Sequence, residues 1–72
     1  MTAVATNLSL RLEPLPLVES RVRLRKSAIY ALIAEGKFPK PVRLGKRAIA
    51  FDSREVDAWI EGKIAERDQE AA

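Results

Sequence analysis

Apolar residues recur at helical spacing in two short segments of the first half of the chain. The apolar edge of the first segment is formed by Leu15, Val18 and Val22. Pro16 suits the first position of a helix here, because the missing N–H of proline costs nothing there. The apolar residues of the second segment are Ile29, Leu32 and Ile33. Gly36 follows them where a left-handed residue commonly ends a helix. The pattern predicts a short helix, a turn at Arg23 and Leu24, and a second helix over about residues 26–35.

The pattern changes to alternation after Gly36. Phe38 is the one large apolar residue of a proline-containing connector, so we expect it to fill the core. The apolar residues that flank Gly45-Lys46 are Val42, Leu44, Ile49 and Phe51. Glycine at the first central position is what a two-residue type II′ turn requires. The segment therefore predicts a β-hairpin with these four apolar side chains facing the core.

Helical spacing returns in the last third of the chain. Asp52 followed by Glu55 resembles a capping box with aspartate as the cap. The apolar stripe of this third helix is formed by Val56, Trp59, Ile60 and Ile64. The stripe predicts that Trp59 lies in the core. The acids Asp57, Glu61 and Glu66 fit a solvated face better than a paired catalytic site.

The two ends of the chain differ from this central region. Residues 1–9 are small and polar, and we expect a flexible arm there. Alternation of Leu8, Leu10 and Leu12 with polar residues favours a short extended segment. We therefore assign one domain to residues 10–67 and expect the tail at 68–72 to fray.

The predicted order is short helix, turn, short helix, β-hairpin and helix. This order is typical of a winged helix-turn-helix, a small α+β fold. In that fold the second helix enters the major groove of DNA, and the hairpin reaches the backbone or the minor groove. The face of the second helix opposite its apolar residues is formed by Ser27, Ala31 and Ala34. Their small side chains would let the backbone approach a groove closely.

Charge is strongly segregated along the chain. Nine basic residues and one acid, Glu35, lie between Arg21 and Arg47, for a local net charge of +8. Residues 52–70 have a net charge of −4 and residues 1–20 of −1, so the total is only +3. A concentrated positive field attracts polyanions such as phosphate backbones or anionic lipid. The alternative is a solvated basic surface without a partner.

Composition excludes several classes of site. The sequence has no cysteine and no histidine, which rules out disulfides, Cys/His zinc sites and an imidazole or thiolate base. The sequence also shows no spacing that indicates a Ser–Lys or paired-carboxylate catalytic site. We therefore expect no enzyme activity, no cofactor and no small-molecule substrate. The N-terminus lacks the pattern of a signal peptide, and no apolar run is long enough to span a membrane. We therefore expect a location in the reducing cytoplasm, on the nucleoid.

The candidate DNA contacts are the exposed cations and polar groups of the second helix, its flanks and the hairpin. They are Arg23, Arg25, Lys26, Ser27, Tyr30, Lys37, Lys40, Arg43, Lys46 and Arg47. Each has a structural alternative. The ring of Tyr30 could pack on Pro39 or Phe38, and Arg25 could merely hold the turn. Charge at Lys46 and Arg47 is also expected at a hairpin tip for solubility.

These residues resemble a known family. The shared segments are Leu15-Pro16-Leu17-Val18, Leu24, Ser27-Ala28-Ile29-Tyr30, Gly36-Lys37-Phe38-Pro39-Lys40-Pro41-Val42, Leu44-Gly45, Arg47 and Glu55-Val56-Asp57-Ala58-Trp59. From about Arg11 to Arg67 the chain resembles the AlpA family of prophage regulators, small relatives of phage excisionases and of MerR-type winged helices. The resemblance implies DNA binding without enzymatic activity.

The sequence departs from the family pattern at four positions, one of which is Pro14 in the arm. Arg23 stands where the family commonly has glycine, and Arg25 stands where it has a serine cap. Arginine is a poor N-cap, so the sequence leaves the start of the second helix open by a residue or two. Ala31 stands where the family often has arginine, which removes one expected base-reading side chain.

Three functions are consistent with these features. The first is sequence-specific binding of double-stranded DNA by a transcriptional regulator of the prophage AlpA type. The second is an excisionase, a recombination directionality factor that bends DNA for phage or island excision. The third is an adaptor whose acidic third helix docks a recombinase or RNA polymerase. No amphipathic helix is left over for a dimer seam, so we expect a monomer that binds beside neighbouring copies on DNA.

Overall fold

Three helices and three short strands form the part of the chain that the computed structural model describes, residues 10–71. In chain order they are β1 (Leu12–Glu13), α1 (Leu15–Val22), α2 (Lys26–Ala34), β2 (Val42–Arg43), β3 (Ile49–Asp52) and α3 (Ser53–Ala71). This order confirms the α+β fold and matches a winged helix-turn-helix. The flexible arm that we expected at residues 1–9 lies outside the described residues.

The first two helices begin and end where backbone geometry requires it. Pro14 is the N-cap of α1. Pro16 is the second residue of the helix and not, as predicted, the first, but its missing N–H is still harmless there. Arg23 ends α1 in the left-handed region with a φ of 61°. At the end of α2, Gly36 has a φ of 74° and its N–H donates to the carbonyl of Ile33. This is the left-handed helix end that the sequence predicts.

The sheet has the order β1-β3-β2, and both pairings are antiparallel. β1 comes from the predicted extended segment, and Leu12 pairs with Asp52. The N–H of Ser53, the first residue of α3, donates to the carbonyl of Arg11 over 2.8 Å. The segment before α1 is therefore fixed to the start of α3 as well as to the sheet.

The hairpin between β2 and β3 has a longer loop than we predicted. The N–H of Leu44 donates to the carbonyl of Ala48 over 2.7 Å, so three residues, Gly45, Lys46 and Arg47, form the tip. Gly36 is the one described glycine with a positive φ. The prediction of a two-residue type II′ turn at Gly45 is wrong, because that turn needs a positive φ at its first central residue.

Two of the four hairpin residues predicted to face the core do not. Val42 is 39% exposed and Leu44 is 55% exposed. Val42 pairs with Ala50, whose side chain points to the opposite face of the sheet from that of Phe51. Phe51 is fully buried and Ile49 is half-buried, as predicted.

The core lies between the sheet and the three helices. Its buried apolar side chains are Val18, Ile29, Phe38, Phe51 and Val56. Phe38 fills the core as predicted, with ring centroids 6.0 Å from Phe51 and 5.0 Å from Trp59 in edge-on geometry. Trp59 lies at the rim, half-buried, and its Nε1–H donates to the carbonyl of Lys37 over 2.8 Å. The connector after α2 is thereby attached to α3.

The third helix has a defined start and a free second half. Asp52 caps it, because its Oδ1 accepts the N–H of Arg54 over 2.9 Å. Residues 61–70 are all exposed, including Ile64 at 46%. The prediction that Ile64 joins the buried stripe is therefore wrong. The helix runs to Ala71, and fraying of the tail stays a prediction.

A partly buried cluster of ion pairs around Arg21 joins three elements. Arg21 of α1 donates to both oxygens of the Glu13 carboxylate at 2.7 and 2.8 Å, and also to Asp57 of α3. The Glu13 side chain is only 5% exposed. The hydrogen bonds that Arg21 donates to Glu13 and then to Asp57 raise its pKa above the ordinary value. Asp57, Glu61 and Glu66 of α3 are all exposed, as a solvated face requires, although Asp57 binds Arg21 and Glu66 lies 3.4 Å from Lys63.

Candidate nucleic-acid interface

The start of α2 presents an exposed cluster of polar side chains. Arg25 immediately precedes the helix, and Lys26, Ser27 and Tyr30 lie in its first turns, all exposed. Together with Glu19 of α1 they line one open groove of about 450 Å³. The arrangement depends on the turn at residues 23–25, which brings the end of α1 beside the start of α2. We call this surface the α2 groove.

The N-terminus of α2 has no side-chain cap. Arg25 occupies the N-cap position in an extended conformation, and its side chain makes no capping hydrogen bond. The first N–H groups of a helix have no partner within the helix, and they carry the positive end of its dipole. An anion placed in the α2 groove could therefore accept from backbone N–H groups as well as from cationic side chains.

Tyr30 lines the α2 groove with 38% of its surface exposed. Phe38, one of its two candidate packing partners, instead packs its ring against Phe51 and Trp59. Tyr30 thus shares the exposed α2 groove with Lys26 and Ser27.

The hairpin presents a second set of cations. Arg43 lies in β2, and Lys46 and Arg47 lie at the loop tip, all exposed. Lys40 is exposed in the connector before β2. We call this group the wing cations.

Ion pairing separates the cations of this chain into two groups. Five of the thirteen Lys and Arg side chains form ion pairs within the described residues, namely Arg21, Lys37, Arg54, Lys63 and Arg67. The eight that do not are Arg11, Arg23, Arg25, Lys26, Lys40, Arg43, Lys46 and Arg47. The unpaired group contains every predicted DNA-contacting cation except Lys37. The charge of each paired cation is offset by a neighbouring acid, so the unpaired group is the net source of positive potential.

Lys37 is placed apart from the other candidates. Its ammonium lies 3.4 Å from Glu35, and its carbonyl accepts the Trp59 indole N–H. It lines a different groove with Trp59 and Lys63 of α3. The backbone of Lys37 thus joins the connector to α3, and contact of its exposed ammonium with DNA stays a prediction.

No group of three or more potential metal-ligating side chains occurs among the residues that the structure describes. Within the same residues, no helix is long and apolar enough to cross a membrane.

Comparison with known proteins identifies the family. Residues 11–64 match the family described as "Prophage CP4-57 regulatory protein (AlpA)". The chain belongs to the AlpA family. The match spans α1, α2, the hairpin and most of α3, and it confirms the resemblance seen in the sequence. AlpA proteins are phage regulatory, DNA-binding proteins, and the family is not known for enzymatic activity.

A phage protein supports the assignment to the AlpA family. The "Uncharacterized protein ORF88" of Enterobacteria phage P4 is 48% identical over 44 residues, which cover 61% of this chain and 50% of that protein. The matched region thus spans half the length of this phage relative.

The departures from the AlpA pattern now have a structural context. Arg23 stands at the commonly glycine position and adopts the left-handed φ of 61° that favours glycine. Its N–H still donates to the carbonyl of Glu19 over 2.9 Å, so the turn closes without glycine. Ala31, at the position where the family often has arginine, is exposed on α2.

Sequence reasoning missed two residues of interest. Arg11 is exposed and unpaired within the described residues, but it precedes β1, at the sheet edge opposite β2. Glu19 lines the α2 groove although it belongs to α1. The sequence carries no signal for this placement, because it depends on the tertiary contact between α1 and α2.

Proposed function

We propose that this AlpA-family chain is a sequence-specific regulator of transcription that binds double-stranded DNA. In the proposed complex α2 lies in the major groove, and the hairpin contacts the backbone or the minor groove. The observation that carries the proposal is the division of the cations. Those of the α2 groove and the wing lack acidic partners within the described residues, whereas all five paired cations lie outside both surfaces.

The exposed face of α2 supports the proposed role of this helix in the major groove. Lys26, Ser27 and Tyr30 supply an ammonium and two hydroxyls, groups that can donate to base edges or phosphates. Ala31 and Ala34 are exposed on the same helix and bear only methyl groups, so the helix can approach the bases closely. Arg25 and the uncapped N–H groups at the helix start are suited to an adjacent phosphate.

The charge and shape of the hairpin support its proposed role as a wing that contacts DNA. Lys46 and Arg47 extend from a short two-stranded ribbon and make no ion pair in the described residues. Arg43 and Lys40 add two more exposed cations along the same segment. Contacts of this kind position a protein on DNA and make its affinity depend on salt, without specifying the sequence.

The test is selection of a binding site from random duplex DNA, followed by footprinting of the selected site. We expect one sequence to be enriched and protected. Lys26→Ala and Tyr30→Phe should lose about 1–3 kcal/mol of discrimination between this site and random DNA for each base contact removed. Lys63→Ala is the matched control, because Lys63 lies on α3 and pairs with Glu66. Equal losses in the control and the groove variants would contradict the assignment of α2 as the recognition helix.

A second candidate function is favoured by the free half of α3. Residues 61–70 are fully exposed and contain four acids and two bases, so they offer a helix surface to a recombinase or RNA polymerase. Such docking would suit an excisionase that bends DNA for excision, or an adaptor. Deletion of residues 65–72 separates these roles, because a regulator that works by occupying its site keeps repression of a reporter gene. Loss of excision or activation with unchanged DNA affinity would favour the second candidate.

A further inference from the structure

Glu19 is a carboxylate placed among cations. It lies in the second half of α1, is half-buried, and lines the α2 groove with Arg25, Lys26, Ser27 and Tyr30. It also borders a neighbouring groove that contains Arg23. Glu19 therefore shares these two adjoining grooves with three cations, Arg23, Arg25 and Lys26.

The carboxylate of Glu19 has no ion-pair or hydrogen-bond partner among the described residues. Six of the ten Asp and Glu side chains form ion pairs there, namely Glu13, Glu35, Asp52, Asp57, Glu66 and Asp68. The unpaired acids are Glu19, Glu55, Glu61 and Glu70, and of these only Glu19 is half-buried. Because the Glu19 carboxylate forms no ion pair with the three cations around it, its oxygens remain able to accept hydrogen bonds.

An acid in a DNA-facing groove has opposite effects on two kinds of contact. It repels phosphate, which weakens binding to every duplex. It also accepts hydrogen bonds, and the donors that the major groove offers are the exocyclic amino groups of cytosine and adenine. A carboxylate accepting from the amino group of cytosine is an established form of direct readout.

Resting on the proposed function, we propose that Glu19 is a specificity-determining residue. Its carboxylate accepts a hydrogen bond from the exocyclic amino group of one base in the major groove, cytosine N4 or adenine N6. Where that amino group is missing, the carboxylate is left without a partner inside the interface, and the groove disfavours the site. Glu19 thus lowers affinity for DNA in general and restores it at the correct base pair.

The experiment compares wild-type protein with Glu19→Ala in selection from random duplex DNA and in direct binding. We expect the variant to bind random duplex more tightly at low salt. We also expect it to lose a preference for cytosine or adenine at one position, by about five- to a hundred-fold. Glu61→Ala is the matched control, because it removes the same charge from an exposed site on α3. That control should change neither quantity.

A base analogue identifies the donor. The selected cytosine is replaced by an analogue without its N4 amino group, or the selected adenine by purine. The wild type should lose affinity for one of these duplexes, and Glu19→Ala should not. Thermal unfolding of both variants checks that the fold is kept.

The outcomes separate this inference from the proposed function. If Glu19→Ala selects the same site as the wild type with the same discrimination, the inference is wrong while DNA recognition stands. The inference is also overturned if the variant tightens binding to all duplexes equally, since Glu19 then only repels phosphate. If the wild type enriches no duplex, the proposed function fails and the inference fails with it.

Discussion

Replacement of Lys46 and Arg47 by alanine tests the role of the wing. Both side chains lie at the exposed loop tip and form no ion pair in the described residues, so their loss should change the free energy of unfolding by less than about 0.5 kcal/mol. The double variant should therefore be as stable as the wild type in thermal unfolding. Any change in DNA binding then reports on contacts with DNA and not on folding.

The magnitude follows from counterion release. Each phosphate contact adds about 0.9 to the magnitude of the negative slope of log affinity against log salt. Loss of two contacts should therefore reduce that magnitude by about one to two. The wild type loses affinity with rising salt faster than the variant does. Between about 50 and about 200 mM salt, the ratio of variant to wild-type Kd should therefore shrink by up to about tenfold.

The assay is fluorescence anisotropy with the selected duplex and with a random duplex across this salt range. The matched control is Lys63→Ala with Arg67→Ala, which removes the same charge from the free half of α3, where both cations already pair with acids. We expect the control to keep the wild-type slope. An unchanged slope and affinity for Lys46→Ala with Arg47→Ala would show that the hairpin only supports the fold.

Three further predictions concern the fold. Arg21→Met leaves the Glu13 carboxylate buried without its partner, so the free energy of unfolding from chemical denaturation should fall by about 2–3 kcal/mol. Adding Glu13→Gln should restore much of that stability, because it removes the buried charge. Gly36→Ala should lower the free energy of unfolding by about 1–2 kcal/mol, because Gly36 has a φ of 74°. Gly45→Ala should lower it by less than about 0.5 kcal/mol, because the φ of Gly45 is not positive. A larger loss at Gly45 would contradict the three-residue loop. The Arg54 side chain and then its backbone N–H lower the pKa of Asp52. The stability that Asp52 contributes is therefore present above its unfolded pKa of about 3.9, and it is lost as pH falls through the lower pKa of the folded state. The difference in unfolding free energy between wild type and Asp52→Asn should thus shrink below about pH 4, and a difference that stays constant with pH would contradict the cap.

Local sequence rules predicted the helices and the order of elements. The end of α2 could be predicted because the requirement there is purely local. The chain turns at the end of the helix through a residue with positive φ, and Gly36 is that residue. The cap of α3 is equally local, since Asp52 accepts from an N–H only two residues ahead. Phe38 could be placed in the core because no other large apolar residue is available in its segment.

Features that depend on register or on distant contacts could not be predicted from local patterns. The hairpin loop is set by pairing of Arg43 with Ile49, and a shift of register changes both the turn type and the side chains that face the core. The ion pairs of Arg21 join residues 8 and 36 positions away in the chain. The position of Glu19 beside Lys26 likewise follows from the packing of α1 on α2.

The most direct test of DNA recognition is the salt dependence of wild-type binding to a duplex selected from random DNA. The unpaired cations of the α2 groove and the wing should reach about four to six phosphates, which gives a slope near −4 to −5 in a plot of log affinity against log salt. The random duplex should bind more weakly at every salt concentration. A flat response to salt, or equal affinity for selected and random duplexes, would contradict the account of this chain as a sequence-specific DNA-binding protein.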